Sequence, residues 1–139
     1  MTIQEKIKFY KNNLDSFEET LDKYKFLLDQ AKKSKPFPEE FRKDNFKVQG
    51  CQAQVWLVPL LNNKLLSFYT DSDAFISKGM ISILSDIYGN NLPNDILNSD
   101  FELINKLNLN VLLTPGRTNG VHSMLKKIKE YAKTFSKKI

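Results

Sequence analysis

The 139-residue sequence predicts an α+β fold in which a small antiparallel β-sheet is packed on one side by helices. Three observations predict it. Apolar residues recur at helical spacing near the start of the chain (Ile3, Ile7, Tyr10, Leu14), in its middle (Ile76, Met80, Ile83, Leu84, Ile87) and near its end (Val121, Met124, Leu125, Ile128, Ala132, Phe135). Between the first two groups the period changes to that of strands, with apolar runs over Val55 to Leu60 and Lys64 to Thr70. Asn62 and Asn63 separate those runs, and asparagine tolerates positive φ, so the pair suits a hairpin turn.

Taken in order, the chain opens with a short amphipathic helix from residue 2 that Asn12 and Asn13 bring to an end. Ser16 then caps a second helix, with Glu19 in capping-box position and Leu21, Tyr24, Leu27, Leu28 and Ala31 on its apolar face. Lys32, Lys33 and Lys35 gather at its C-terminal end, where the helix dipole favours cations, and read as a solvated helix end. Pro36 and Pro38 force an extended connection. After a charged stretch from Phe41 to Phe46 comes the hairpin, whose second strand carries Leu65, Leu66, Phe68 and Tyr69 and so needs a face against helices.

Ser72 or Asp73 suits the cap of the middle helix, and Gly89 ends that helix as a C-cap. Asp95 to Leu97 and Phe101 to Leu107 fit short helical turns. Leu112 to Gly120 reads as a loop punctuated by Pro115 and two glycines, leading into the final helix. Arg117 is thereby held near a helix start, where a cation opposes the dipole.

The length suits one domain over residues 1–139, and 41% hydrophobic residues are enough for its core. Twenty-one basic against sixteen acidic residues leave a charge of +5, largely from the segment Lys126 to Lys138, which is not a nucleic-acid-binding composition. One cysteine forms no internal disulfide, and the N-terminus lacks the apolar core of a signal peptide, so a reducing cytoplasmic setting is expected. No apolar run approaches the ~18 residues of a membrane span.

That cysteine lies in Gln49, Gly50, Cys51, Gln52, Ala53, Gln54, Val55, Trp56, beside a glycine and at the mouth of the first strand run. Free cysteine is commonly buried and behaves as a small hydrophobe. Here Gln49, Gln52 and Lys47 surround it with polar side chains, and the sequence favours a thiol presented at a corner rather than packed.

With these parts placed, the chain resembles the SufE family of sulfur acceptor proteins. The resemblance rests on Gly50-Cys51-Gln52-Ala53-Gln54-Val55-Trp56, the connection Pro36 to Pro38, Asp71-Ser72-Asp73-Ala74, a helix holding Gly79, and Leu113-Thr114-Pro115 with Arg117 and Gly120. It implies a fold similar to U-type iron-sulfur scaffold (IscU-like) proteins. It implies further that Cys51 accepts a persulfide sulfur from a SufS-type cysteine desulfurase and passes it on to a scaffold such as a SufBCD-type complex, the chain being an accessory carrier and not an enzyme in its own right. Pyridoxal phosphate would belong to the desulfurase, and the chain itself would carry no cofactor and no metal. By motif position Arg117 stands near the exchange, and Gly50, Gln52, Gln54 and Asp73 support the loop. Ala53 and Gly116 replace serines common in the family, so any hydrogen bonds from those hydroxyls are missing. The oligomeric state is not fixed by the sequence, and a homodimer is compatible with it.

Such a transfer needs the thiolate, whereas an ordinary thiol with pKa about 8.5 is mostly protonated near neutrality. Lys47 and Arg117 are the candidates to oppose its charge. A loop that retracts against Trp56, Phe68 or Met80 would shield a persulfide from water, and with no second thiol a persulfide has no internal discharge as a disulfide. Other classes fare worse. A thiol hydrolase needs a base, and the sole histidine, His122, reads as a solvated residue at the start of the last helix. A cluster scaffold needs about three or four strong ligands, more than one cysteine and one histidine supply.

Overall fold

A computed structural model describes residues 1–138. Its elements run α1 (Ile3–Ser16), α2 (Thr20–Lys33), β1 (Val55–Asn62), β2 (Leu65–Ser72), α3 (Phe75–Tyr88), α4 (Pro93–Leu97), α5 (Leu103–Lys106), α6 (Leu109–Leu112) and α7 (Pro115–Ser136), with two short 3₁₀ turns at Glu39–Phe41 and Asp44–Phe46. The predicted α+β class is the observed one.

Helix α1 begins with a capping box: the Thr2 hydroxyl accepts from the Glu5 amide while the Glu5 carboxylate accepts from the Thr2 amide. The helix does not stop at Asn12 and Asn13 but runs on to Ser16, because Leu14 on its next turn is buried with Ile3, Ile7 and Tyr10. Ser16 is thus the end of α1, its hydroxyl donating to the Asn13 carbonyl, and not the cap of α2; α2 starts behind Glu19 with no side-chain cap. Burial of Leu27 and Ala31 against α3 holds α2 in place instead.

The strands pair antiparallel in one hairpin, from Val55 opposite Ser72 to Asn62 opposite Leu65. The turn lies one residue beyond the expected pair. Asn63 (φ 52) and Lys64 (φ 69) both take positive φ, the conformation whose twist matches that of paired strands. Alternation along the strands sends Val55, Leu57, Leu66 and Phe68 toward the helical core. The other face, with Trp56 and Tyr69, is covered by the connection after α2. Phe41 stacks on Tyr69 at 5.9 Å and Phe37 lies 6.4 Å from Trp56.

Helix α3 is the hub, packing on both strands and on α1, α2 and α7. Its residues Gly79, Met80, Ile81, Ile83, Leu84, Ile87 and Tyr88 are all buried, a pattern wider than the single stripe of a surface helix. Gly79 lets α2 approach, since a Cβ there would stand 2.2 Å from the Leu27 carbonyl oxygen. The cap of α3 is Ala74, not Ser72 or Asp73; the Ser72 hydroxyl accepts from the Ala74 amide just outside the helix, and Asp73 is engaged elsewhere. At the other end Gly89 is extended, and the left-handed residue is Asn90 (φ 60).

The segment expected to be a loop from Leu112 to Gly120 is largely helical. Thr114 caps α7 by accepting from the Arg117 amide, and Pro115 occupies the first helical position, where its missing N–H costs nothing. Arg117, Thr118, Asn119 and Gly120 therefore belong to the first turns of a 22-residue helix. No helix among the described residues is long and apolar enough to cross a membrane.

Candidate functional site

Residues 49–54 form a loop with a closed base. The Val48 amide donates to the Val55 carbonyl at 2.8 Å and Lys47 bridges to Trp56, so the chain leaves and re-enters the sheet edge at neighbouring points. Gln54 closes the returning side. Its amide donates to Asp73 Oδ1 (3.0 Å), its side-chain Nε2 donates to Asp73 Oδ2 (3.1 Å), and its carbonyl accepts from the Asp73 amide (3.2 Å). The structure thus brings together Gln54 and Asp73, two of the loop residues picked out from the sequence.

The tip lies antiparallel along the start of α7. Gly50, Cys51 and Gln52 meet Ser123, Gly120 and Gly116 in that order. Positions 116, 120 and 123 share one face of a helix, four and three residues apart. Gly50 has φ +89, a left-handed conformation that a side chain resists, and a Cβ on it would stand 2.5 Å from Ser123 Oγ. The Cys51 thiol donates to the Gly120 carbonyl at 3.6 Å, a weak bond to a weak donor. At Gly116 a Cβ would fall within 2.2–2.7 Å of the Gln52 amide group.

Cys51 is therefore not presented at an open corner. It is half-buried and packs against the hydrophobic core, with α7 as the wall its thiol meets. Burial pushes the thiol pKa up from its ordinary value, and burial is the sole cause of the shift. Neither expected cation opposes the charge in this conformation. Lys47 pairs with Asp44 at 3.1 Å and lies 5.7 Å from the centre of the Trp56 ring. Arg117 is exposed on the first turn of α7. His122 is exposed as well and lines a shallow hollow with Phe101, Glu102 and Ile104, on a different helix face from Gly120.

The base of the loop is braced by a residue the sequence reading missed. Arg42 donates to both carboxylate oxygens of Glu39 and to Asp71 Oδ2 (2.8 Å), while its guanidinium lies 4.7 Å from the Trp56 ring centre and 5.0 Å from that of Phe37. Trp56 and Asp71 are partners across the hairpin, so Arg42 clamps the connection onto the strand pair at the base of the cysteine loop. Its signal in the sequence was only a charge among aromatics, whose partners lie far along the chain. No three His, Cys, Asp or Glu side chains stand together as metal ligands among the described residues.

A family model for SufE, described as an Fe-S metabolism associated domain, matches residues 9–132 of this chain. The chain belongs to the SufE family. It is similar to the cysteine desulfuration protein SufE of Wigglesworthia glossinidia brevipalpis, 38% identical over 130 residues that cover 92% of this chain and 90% of the relative. An uncharacterised SufE-like protein of Rhizobium etli is 37% identical over 125 residues, covering 86% and 82%. The solution structure of a hypothetical protein from Thermus thermophilus has the same fold, with a TM-score of 0.77 at 19% identity over 94% of this chain and 95% of that one. As a SufE chain, this protein has a role in Fe-S metabolism.

Proposed function

We propose that this SufE chain accepts a sulfane sulfur on Cys51 from the persulfide of a cysteine desulfurase and hands it on for iron-sulfur cluster assembly. The observation that carries the reading is a lone thiol, sheltered against Gly120 on a loop whose one left-handed residue is the adjacent Gly50, in a chain of this family. The Cys51 thiolate attacks the outer sulfur of the donor persulfide. A bond forms between Sγ and that sulfur, the donor's sulfur-sulfur bond breaks, and the donor cysteine leaves as a thiolate. The sulfane sulfur keeps its oxidation level, and the thiol proton of Cys51 is lost to solvent or to a base of the donor.

In its resting place Cys51 is a poor nucleophile, because burial disfavours the thiolate. The loop therefore swings out of the α7 face to react, and swings back to shelter the persulfide. Gly50 acts as hinge, the Gln54–Asp73 bonds keep the returning side anchored, and Gln52 travels with the tip. Arg117, exposed at the start of α7, is placed to meet the negative charge of a persulfide or of the donor as the loop moves. Pyridoxal phosphate is the donor's cofactor.

Intact-mass measurement after incubation with a pyridoxal-phosphate cysteine desulfurase and cysteine tests the reading. A reducible one-sulfur adduct, absent in Cys51→Ser, is expected, together with faster sulfide release by the desulfurase. Neither adduct nor stimulation with several such desulfurases would sink it.

A further inference from the structure

We infer that Gly116 is a positioning residue for Cys51, a notch in α7 that receives the side-chain amide of Gln52 and sets how firmly the cysteine loop rests. This rests on the reading of Cys51 as the acceptor but concerns the isolated chain.

The geometry of the tip provides such a notch in this chain, at a position where the family commonly carries serine. From Gly120 to Gly116 the helix rises about 6 Å, whereas one step of extended chain from Cys51 to Gln52 spans at most about 3.8 Å. The backbone alone cannot keep pace with the helix. The Gln52 side chain makes up the difference by lying back along α7, and its Nε2, Cδ and Oε1 are the three nearest atoms to the place where a Cβ on Gly116 would be. At Gly120 the same construction meets Cys51 only at ordinary contact distances of 3.5–3.7 Å. The tight fit is therefore local to Gln52 and Gly116.

The physics favours this role over a need for glycine in the helix. Gly116 is the second residue of α7, where glycine has no propensity advantage over alanine, so propensity gives no reason for it at this position. Neither does the backbone demand it, since Gly116 does not have positive φ. What remains is space, and the space is filled by one side chain. Gln52 is otherwise exposed, so its amide is free to leave the notch whenever the loop lifts.

The test is a cycle of Gly116→Ala and Gln52→Ala on the full chain, read by the rate at which iodoacetamide alkylates Cys51 without any desulfurase present. Gly116→Ala is expected to raise that rate only about twofold, the factor that about 0.4 kcal/mol makes, because the group expelled is the far end of the flexible, exposed Gln52 side chain. In the Gln52→Ala background the same change is expected to have no further effect, because nothing remains to be expelled. Thermal unfolding should show Gly116→Ala no less stable than the parent. An equal acceleration in both backgrounds, no acceleration in the parent background, or an acceleration that follows a lowered melting temperature would overturn the inference. Because alkylation reads the loop alone, these outcomes stand apart from whether Cys51 accepts sulfur.

Discussion

Cys51 and Gly120 are joined by a thiol-to-carbonyl contact of 3.6 Å that keeps the sulfur against α7 and out of full contact with water. Burial there disfavours the thiolate and raises the pKa. The pH profile of Cys51 alkylation should therefore have its midpoint above that of a free thiol, about 8.5. The same shift links to stability. The folded thiol ionises at higher pH than the unfolded one, so its contribution is fully present below about pH 8.5 and is lost as pH rises from there through the folded value. Chemical denaturation across alkaline pH should show the parent losing stability that Cys51→Ser retains. An alkylation midpoint at or below the free-thiol value would mean that the loop spends its time extended.

Asp73 tests the anchor of the loop. Replacing it with alanine removes both acceptors used by Gln54, in an exposed setting where such bonds contribute about 1 kcal/mol or less to global stability. The loop itself should feel the loss more, with faster exchange of the Gln54 amide proton and faster alkylation of Cys51. Unchanged rates at both positions would show that the tip, held along α7, needs no anchor at its returning side.

Much of this arrangement could be read in advance, and what could not has a physical cause. The stripes Ile76, Met80, Ile83, Leu84, Ile87 and Val121, Met124, Leu125, Ile128, Ala132 mark helices because burial imposes a period on neighbouring residues. The hairpin announced itself through its asparagines and missed by one residue, since Lys64 takes a positive φ that its type does not advertise. Thr114, Pro115, Gly116 and Gly120 read as a loop in the sequence because proline and glycine punctuate loops and also open helices, and only the cap geometry separates the two. The bed of the cysteine was hidden for another reason. Gly50, Cys51 and Gln52 meet residues some 70 positions away, and a contact between two small groups leaves no periodic trace. Lys47 and Arg117 carry the right charge, but charge says nothing about reach, and in this conformation Lys47 pairs with Asp44 while Arg117 is exposed.

Arg42 should be needed as an arginine. Its fork serves Glu39 and Asp71 at once while its plane lies over Trp56 and Phe37. Lysine can supply the charge but not the fork or the flat face. Both Arg42→Ala and Arg42→Lys are therefore expected to destabilise the fold, by about 1–2 kcal/mol, with lysine recovering less than half. Denaturant unfolding followed by Trp56 fluorescence measures this directly, and full recovery by lysine would reduce the clamp to a simple ion pair.

Gly79 fixes the distance between α2 and α3. An added Cβ would stand 2.2 Å from the Leu27 carbonyl oxygen and 2.9 Å from its carbon, and backbone cannot rotate out of the way as a side chain can. Gly79→Ala gains helix propensity of ~1 kcal/mol but forces the central helix pair apart, which costs typically 1–3 kcal/mol and more where neighbours cannot yield. The expected result is a net loss of melting temperature. A gain would mean that α2 shifts without resistance.

Gly50 combines two separable demands. Its φ of +89 resists any side chain, and a Cβ there would also meet Ser123 Oγ at 2.5 Å, but Ser123 Cβ only at an ordinary 3.5 Å. The Ser123 hydroxyl donates to the Asn119 carbonyl, which keeps the oxygen from turning freely away. Gly50→Ala should therefore lift the loop through both effects, with strain alone contributing about 1–2 kcal/mol. Ser123→Ala removes the oxygen and leaves the strain. In the double variant Cys51 alkylation should fall back part of the way toward the parent rate, and the part not recovered measures the conformational demand at Gly50. Complete recovery would assign the glycine to space alone, and no recovery would assign it to backbone conformation alone.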